Sequence, residues 1–302
     1  MVESITASTV TVGIITYKRP ALLAELLNSL ESQQRMAGFK ILVVDNDPNG
    51  SGSEVVEASG CSVAYISEPT PGIVAARNAV LESLSSDCQW VIFVDDDETV
   101  DAGWFENLVG AANQFACDVV LGPVISVFEP DCPVWITKGG FIQRPSRSTG
   151  STLRTAATNN VLIKLDALRK LPEPRFSEDF SLTGGSDAEL FWRLNQSGAR
   201  LVWCDEATVR ESVPNSRANL KWIFRRTIRL GNVSGRLLQR SRPRLVVLLL
   251  GAGRIVVGFI RMIASMLTGR GFRDADFSHF AKGIGMVGAC LGTIVVEYKR
   301  AS

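Results

Sequence analysis

Short apolar runs alternate, over the first hundred residues, with segments in which apolar residues recur every three or four positions. Unbroken apolar runs are typical of strands buried on both faces, whereas the spacing of three or four is typical of an amphipathic helix. The predicted strands lie at residues 10–16, 40–44, 62–66 and 91–94, and predicted helices separate them. This alternation predicts an α/β fold with a parallel sheet and right-handed crossovers.

Polar residues stand where three of these strands end. Thr16 closes the first strand, Asp45 closes the second, and the run Asp95–Asp97 follows the fourth. Ligands of open α/β sheets bind beyond the carboxyl ends of the strands. In an extended chain the first and third acids of the run would share one side, where a cation such as Mg²⁺ or Mn²⁺ would relieve their repulsion. The run therefore indicates either a metal-diphosphate site or a solvated acidic turn before a helix that begins near Asp101.

Composition narrows the class of protein. The chain has 302 residues and a net charge of +1, so nucleic acid is not an expected partner. Its six cysteines are scattered, which favours free thiols in a reducing cytosol over zinc ligands or disulfides. We expect no signal peptide at the N-terminus. Neither a G-x-G-x-x-G turn nor a G-x-x-x-x-G-K-[ST] loop occurs, which argues against dinucleotide-binding and P-loop proteins.

Four motifs, in this order along the chain, resemble those of the family 2 glycosyltransferases, which have the GT-A fold. They are Ile14-Ile15-Thr16-Tyr17-Lys18-Arg19-Pro20, Val43-Val44-Asp45-Asn46, Pro71-Gly72 followed by Ala76-Arg77-Asn78, and Phe93-Val94-Asp95-Asp96-Asp97. The resemblance covers about residues 10–229, and the layout is similar to that of bacterial succinoglycan and exopolysaccharide glycosyltransferases. It implies a GT-A domain at residues 1–235, with a nucleotide-sugar half at 1–122 and an acceptor half at 123–235.

The resemblance also implies roles for the matching residues. Thr16 and Asp45 would contact the uracil and ribose, Arg77 would lie near the donor pocket, Asp95 would touch the ribose or sugar, and Asp97 would ligate Mn²⁺ or Mg²⁺. Other residues assigned to the nucleotide-sugar site are Tyr17, Arg19 and Asp96. The residues by themselves also allow a turn-forming role for Asp45 and a surface position for Arg77.

A fifth motif lies at Gly184–Arg193. Ser186 can cap a helix whose first turn holds Asp187 and Glu189, and acids are favoured there by the helix dipole. The motif also resembles the family's Glu-Asp pair, in which the Asp is the general base. Ser186 stands where the first acid is usual, so the position assigns the base to Asp187, with Glu189 as the substitute.

The acceptor half carries further candidates. Many members of the family have a metal-binding His where this chain has Glu211, which is predicted to bind the metal or the acceptor. The segment 129–150 is rich in Pro, Gly, Arg and Ser and is predicted to be a mobile lid. The basic helix near Trp222 could meet a diphosphate or anionic headgroups, or could be a solvated face; its cations are Arg225, Arg226 and Arg229. The residues predicted to bind the acceptor are Asn159, Asn160, Glu189 and Trp192.

Residues 236–302 are predicted to form an apolar helical tail that associates with the membrane. The stretch 245–267 is apolar except for Arg254 and Arg261, and a lone spanning helix would avoid two central arginines. A second apolar stretch, 281–296, contains glycines suited to close helix packing. An interfacial helix, a membrane-embedded pair, and a hairpin buried against the catalytic domain or a dimer partner all remain open. The expected location is the cytoplasmic face of the inner membrane.

These features together predict a metal-dependent, inverting hexosyltransferase. It would move a sugar from a UDP-sugar to a lipid-linked saccharide in surface or exopolysaccharide synthesis, with homo-oligomers possible. One alternative is a sugar-phosphate nucleotidyltransferase, which should have a Gly-rich loop where this chain has residues 16–20. Another is a membrane-anchored subunit without activity.

Overall fold

The computed structural model describes residues 5–181 and 183–295. Contacts divide the chain into two compact units. The first unit comprises Met1–Ile125, Arg144–Ser181 and Ser186–Glu211, and the second comprises Ser126–Gln143, Leu182–Gly185 and Ser212–Ser302. These units do not follow the predicted boundary after residue 235, which falls inside a continuous helix, Leu220–Gln239.

The described elements alternate between strand and helix through most of the chain. The strands are β1 (Val10–Thr16), β2 (Lys40–Asp45), β3 (Val63–Ser67), β4 (Trp90–Asp95), β5 (Glu98–Val100), β6 (Val119–Leu121), β7 (Val124–Phe128), β8 (Thr152–Leu153), β9 (Asn160–Lys164), β10 (Leu201–Trp203) and β11 (Val209–Val213). The helices are α1 (Pro20–Ala37), α2 (Ser53–Ala58), α3 (Ile73–Glu82), α4 (Trp104–Phe115), α5 (Val134–Gly139), α6 (Leu165–Arg169), α7 (Ser186–Gln196), α8 (Leu220–Gln239), α9 (Arg244–Leu267) and α10 (Asp274–Cys290), with 3-10 turns at Ala7–Thr9 and Glu178–Phe180.

An eight-stranded sheet with the order β3-β2-β1-β4-β9-β6-β10-β8 forms the centre of the first unit. The pairs β3-β2, β2-β1 and β1-β4 are parallel, as the sequence predicted. Strand β9 is antiparallel to both β4 and β6, whereas β10 is parallel to β6. The result is a mixed sheet in which the N-terminal residues build four adjacent parallel strands, β3-β2-β1-β4.

Successive residues of the central strands enter two different apolar cores. In β4, Ile92 and Val94 pack in the cluster that contains α1 and α4, whereas Val91 and Phe93 pack in the cluster that contains α3 and α7. All four side chains are buried. The prediction of a strand buried on both faces is therefore confirmed, and it explains why the apolar run has no polar alternation.

Gly13 allows α3 to lie close to the sheet. A Cβ added at Gly13 would lie 2.5 Å from Cγ1 of Val80, which is buried in α3. A larger residue at this position of β1 would push the helix away from the strands that carry the site.

The apolar stretch 118–124 forms two short strands. Strand β6 ends at Leu121 and β7 begins at Val124, with Gly122 and Pro123 between them. A Cβ at Gly122 would lie 1.9 Å from the carbonyl oxygen of Ala207, so the chains approach closely here, and Pro123 has no N–H to continue a ladder.

The predicted lid, residues 129–150, is not wholly irregular. It contains the short helix α5, and the side chains of Ile136 and Phe141 are fully buried. Phe141 packs against Phe272 and Phe277 within the second unit, with ring centroids 5.0 and 5.9 Å apart. The mobility of residues 129–150 remains a prediction.

Helices α8, α9 and α10 of the second unit pack through glycines. A Cβ at Gly285 of α10 would lie 2.0 Å from the carbonyl oxygen of Ile228 in α8, and a Cβ at Gly283 would lie 2.7 Å from that of Gly251 in α9. The prediction of close packing by these glycines is confirmed. The end of the predicted stretch, Val296, lies outside the described residues.

Candidate active site

The carboxyl ends of β1, β2 and β4 lie side by side. Thr16 is the register partner of Asp45, and Ile15 is the partner of Asp95. As predicted, the polar residues that close the three strands meet at one edge of the sheet. This is the edge at which ligands of open α/β sheets bind.

Asp45 organises the loop that follows β2. Its carboxylate is fully buried; Oδ1 accepts the Asp47 N–H at 2.8 Å, and Oδ2 accepts the Gly52 N–H at 2.7 Å and the Tyr65 hydroxyl at 2.9 Å. The bond to the residue two positions on is an Asx turn, the turn-forming role that the sequence allowed. Burial and the bond to Asp45 raise the pKa of Tyr65. A nucleoside contact by Asp45 remains a prediction.

The acidic run leaves the sheet after its first member. Strand β4 ends at Asp95, and the next two acids form a turn, so the expectation of an extended chain with alternating sides is wrong beyond Asp95. Asp96 is buried and accepts the hydroxyl of Thr16 at 2.9 Å. Arg19 donates from Nη1 to Asp96 at 3.0 Å and to Asp97 at 3.2 Å. The turn therefore gathers the carboxylates around one guanidinium.

Burial and mutual repulsion raise the pKa of two of these acids. Burial raises the pKa of Asp95 to about 7, with Arg77 opposing the shift and Asp97 adding to it. Burial also raises the pKa of Asp96, with the charge of Arg19 opposing. Adjacent carboxylates in a buried place are stabilised by a cation, and here Arg19 supplies one.

The carboxylate oxygens of the acidic run are ligands that a hard divalent cation prefers. Two of them, one from Asp96 and one from Asp97, already share the positive charge of Arg19. Within residues 5–181 and 183–295, no group of three or more acid, His or Cys side chains is arranged to hold a metal. Mg²⁺ is usually bound by one or two carboxylates together with substrate phosphates. Asp97 fits that pattern, and a bound diphosphate would have to complete the ligand set.

Sequence reasoning missed the part played by Glu98. Its buried carboxylate accepts the Asp95 N–H at 3.1 Å through Oε2 and the side-chain amide of Asn159 at 3.0 Å through Oε1. Burial and the charge of Asp95 raise the pKa of Glu98 well above its usual range. Asn159, predicted to bind the acceptor, is thus joined to the acidic run. An acid that starts a short strand directly after a turn was the available signal.

Glu211 lies opposite Glu98 in the antiparallel pairing of β11 with β5. Arg144, which the sequence did not single out, forms an ion pair with Glu211, with Nη2 and Oε2 2.7 Å apart. The charge of Arg144 also acts to lower the pKa of Asp95 and Glu98. Glu211 is therefore neutralised by an arginine, and its predicted contact with a metal or the acceptor remains untested.

Asn160 has a structural set of partners. Its side-chain oxygen accepts the indole N–H of Trp104 at 2.9 Å, and its amide donates to the carbonyl oxygens of Pro123 at 3.0 Å and Ala207 at 2.7 Å. With only 2% of its surface exposed, Asn160 cross-links three segments of the first unit. Acceptor binding by Asn160 would have to compete with these bonds.

Arg77 bonds to the segment with the predicted base, and its charge acts on Asp95 of the acidic run. It is buried in α3, donates from Nη1 to the hydroxyl of Ser186 at 3.0 Å, and lies over the ring of Phe176 at 5.5 Å. A surface position for Arg77 is therefore excluded. Ser186 begins α7, and Asp187 follows in its first turn. The bond from Arg77 therefore ends at the residue before Asp187.

Asp187 and Glu189 differ in their partners. Asp187 is half-buried, and its Oδ1 accepts the N–H of Ala188 at 2.8 Å. Glu189 is fully buried and is bound by Arg193, whose Nε lies 3.0 Å from each carboxylate oxygen. A carboxylate held in this way is poorly placed to accept a proton, which favours Asp187 as the base.

Two other predicted residues lie near the surface of the first unit. Tyr17 is 38% exposed at the end of β1, and Trp192 of α7 is half-buried. Their assignments to the donor and the acceptor remain predictions.

An α/β unit with carboxylates beyond the strand ends has the layout of the GT-A fold. Residues 11–171 match the model of Glycosyl transferase family 2. The chain is 34% identical over 233 residues to the succinoglycan biosynthesis protein ExoM of Rhizobium meliloti. The aligned region covers 75% of this chain and 74% of ExoM. The chain therefore belongs to glycosyl transferase family 2.

Solved structures agree on the fold. TarS 1-349 of S. aureus in complex with UDP-GlcNAc is 15% identical, with a TM-score of 0.51 over 94% of this chain and 92% of that one. GalNAc-T7 with UDP, GalNAc and Mn²⁺ is 13% identical, with a TM-score of 0.54 over 72% of this chain and 47% of that one. The chain thus spans about half the length of GalNAc-T7.

Proposed function

We propose that this glycosyltransferase moves a sugar from a UDP-sugar to a saccharide, with inversion at the anomeric carbon, in exopolysaccharide synthesis. The convergence of Thr16, Asp45 and the acidic run at one sheet edge carries the proposal. Arg77 supports it, because its charge acts on Asp95 and it donates to Ser186, the residue before Asp187. Support for the pathway comes from the similarity to ExoM, and support for the donor comes from the fold shared with TarS in complex with UDP-GlcNAc.

Asp187 would act as the general base. A sugar hydroxyl is a weak nucleophile, and a carboxylate within about 2.6–3.2 Å can take its proton during the attack. The hydroxyl oxygen then bonds to the anomeric carbon, the bond from that carbon to the diphosphate oxygen breaks, and the proton passes to Asp187. A single displacement inverts the configuration, so an α-linked donor would give a β-linked product.

The leaving diphosphate would lie by the acidic run and Arg19. Asp97 is the proposed ligand for Mn²⁺ or Mg²⁺, which when bound would neutralise charge that develops on the diphosphate. Arg19 forms ion pairs with Asp96 and Asp97 and has a half-exposed side chain, so its guanidinium could turn to a phosphate oxygen. Thr16 and Arg77 would hold the remaining parts of the donor.

We also propose attachment to the cytoplasmic face of the inner membrane and a lipid-linked acceptor. Among the described residues, α9 is a helix long and apolar enough to cross a membrane, judged by length and composition. Confining the enzyme to the surface that holds a lipid-linked saccharide would raise the acceptor's effective concentration.

A donor screen tests the reaction. The chain is heated with each nucleotide sugar in the presence and absence of Mn²⁺, since a bound donor raises the apparent melting temperature. We expect UDP-sugars to protect the protein only with the metal, and Asp97→Ala to abolish that protection while leaving the melting temperature without ligand nearly unchanged. NMR of the product then reports the anomeric configuration. Retention of configuration would overturn the single displacement, and protection by no nucleotide sugar would overturn the donor assignment.

A further inference from the structure

Helix α9 has one side that contacts α10 and an opposite side of exposed apolar residues. Its buried residues recur every four or seven positions and form a seam; they are Val247, Gly251, Gly258 and Ser265. A Cβ at Gly251 would lie 3.1 Å from Cβ of Met286 in α10, and a Cβ at Gly258 would lie 2.4 Å from the backbone nitrogen of Phe280. The seam is therefore the side of α9 that faces α10.

Two of the three arginines of α9, Arg254 and Arg261, lie on the seam side, and the third, Arg244, is the first residue of the helix. Arg254 is three residues after Gly251 and four before Gly258, and Arg261 has the same spacing between Gly258 and Ser265. Residues three and four apart are neighbours on a helix surface. Arg261 forms an ion pair with Asp276 of α10, with Nε and Oδ1 2.8 Å apart. The two charges in the interior of α9 thus lie beside α10.

The opposite side of α9 is apolar along its whole length. Exposed residues from the first turn to the last have between 43% and 82% of their surface exposed; they are Leu245, Leu249, Val256, Ile260, Ile263 and Leu267. At 1.5 Å per residue, a helix of 24 residues is about 36 Å long. Large contiguous apolar patches on a protein surface, such as this apolar strip, mark sites that contact a membrane or another protein.

The charges at the ends of α9 distinguish two ways of covering this strip with lipid. Exposed arginines flank both ends: Arg242 and Arg244 precede the strip, and Arg270 and Arg273 follow it. A spanning helix would leave one of these pairs on the far side of the membrane, against the usual bias of Lys and Arg to the cytoplasmic side. A helix that lies in the plane of the interface brings both pairs to the anionic headgroups of one leaflet.

Helix α10 favours the same arrangement. Its first half carries ionisable residues, namely Asp274, Asp276, His279 and Lys282. Because α10 packs along the seam of α9, a spanning α9 would carry these groups into the hydrocarbon, where each charge is costly. With α9 in the plane of the interface, α10 lies on its water side and the groups stay outside the hydrocarbon.

We infer that α9 lies parallel to the membrane surface, with its apolar strip among the acyl chains of one leaflet and its terminal arginines on anionic headgroups. The inference rests on the proposed membrane attachment and is independent of the proposed transfer reaction. It makes the second unit a one-leaflet anchor. The occupant of the apolar strip is lipid.

Spin labels on the strip measure its depth. Single cysteines replace Leu249, Val256 and Leu267 in the full chain, in a background in which the half-buried Cys61 and Cys132 are changed to Ser. Each labelled protein is mixed with vesicles of phosphatidylcholine containing phosphatidylglycerol, and depth is read from collisions with oxygen and a water-soluble nickel chelate. We expect the three labels to lie at the same depth, close to the headgroups.

Matched charge variants test the two ends. Arg242→Gln with Arg244→Gln, and Arg270→Gln with Arg273→Gln, remove the same charge from opposite ends of α9. At about 1 kcal/mol per arginine near an anionic surface, each pair should lower vesicle partition roughly 30-fold. Vesicles of pure phosphatidylcholine should show little difference between the variants.

Three results would overturn the inference. A label at Val256 that is deep, with the other two shallow, would mean a spanning helix and would leave membrane attachment intact. Labels that are immobilised without vesicles, together with a dimer in sedimentation, would mean that a second copy covers the strip. Failure to partition into either vesicle would remove the attachment as well. Donor-dependent thermal protection, measured on the same samples, reports the transferase proposal separately.

Discussion

The guanidinium of Arg77 and the hydroxyl of Ser186 are joined by a hydrogen bond of 3.0 Å between two buried side chains. The bond ties α3 to the first residue of α7 and so to the turn that carries Asp187. The family resemblance places an acid at this position. This chain has a neutral hydroxyl there, and the charge of Arg77 opposes the rise in pKa that burial causes at Asp95.

A double-mutant cycle measures this link. Ser186→Ala and Arg77→Met are compared singly and together for the free energy of unfolding in urea and for kcat. Hydrogen bonds to charged groups contribute about 1.5–3 kcal/mol, so we expect a coupling energy of at least about 1 kcal/mol. We also expect Ser186→Ala to lower kcat and to change the KM for the donor less. The reason is that the turn that carries Asp187 loses its bond to Arg77. Additive effects would show that the bond does not hold the two helices together.

Glu98 is expected to position the acidic run. Glu98→Ala removes the acceptor for the Asp95 N–H and for the Asn159 amide, and leaving buried donors unpaired costs about 1–3 kcal/mol each. Glu98→Gln keeps one of the two acceptor oxygens, so it should lose less stability and less Mn²⁺-dependent donor protection than Glu98→Ala. Urea unfolding and thermal shift measure both properties. Equal loss in the two variants would mean that charge, and not the hydrogen bond, is what the site requires.

Asp187 and Glu189 should be separable as base and structural residue. Asp187→Asn keeps the shape of the side chain but cannot accept the proton, so kcat should fall about 10²- to 10⁴-fold with donor protection unchanged. Glu189→Gln weakens a buried pair with Arg193, so its main effect should be a lower free energy of unfolding. Asp166→Asn, at an exposed acid of α6, is the control and should change neither property. Reversal of the two phenotypes would transfer the role of base to Glu189.

Two glycines of the tail make a matched pair. A Cβ at Gly285 would lie 2.0 Å from a backbone oxygen of α8, whereas a Cβ at Gly253 in α9 would meet nothing within 4 Å. Gly285→Ala should therefore separate the helices and lower the melting temperature in detergent, since the clash is with backbone. Gly253→Ala should raise stability by up to about 1 kcal/mol through helix propensity. The same sign for both variants would contradict the close packing of α8 with α10.

Much of the first unit follows from local pattern. Strands β1 to β4 and the helices between them were predicted because a strand buried on both faces must be apolar at every position, and an amphipathic helix must repeat its apolar residues every three or four. The interruption at Gly122 was not predictable, since the carbonyl of Ala207 that requires the glycine is distant in sequence.

The sequence by itself determined which residue types stand at the strand ends, that their order matches family 2, and that an apolar tail follows. Only the tertiary structure decided which polar side chains already have hydrogen-bond partners within the protein. Asp45 accepts from its own loop, Asn160 donates to distant segments, Glu189 accepts from Arg193, and Glu98 accepts the N–H of Asp95. Strand and helix periodicities are local, so a sequence displays them. Ion pairs and hydrogen bonds join residues far apart along the chain. Their partners are determined only on folding, because a buried polar group without a partner has a large desolvation cost.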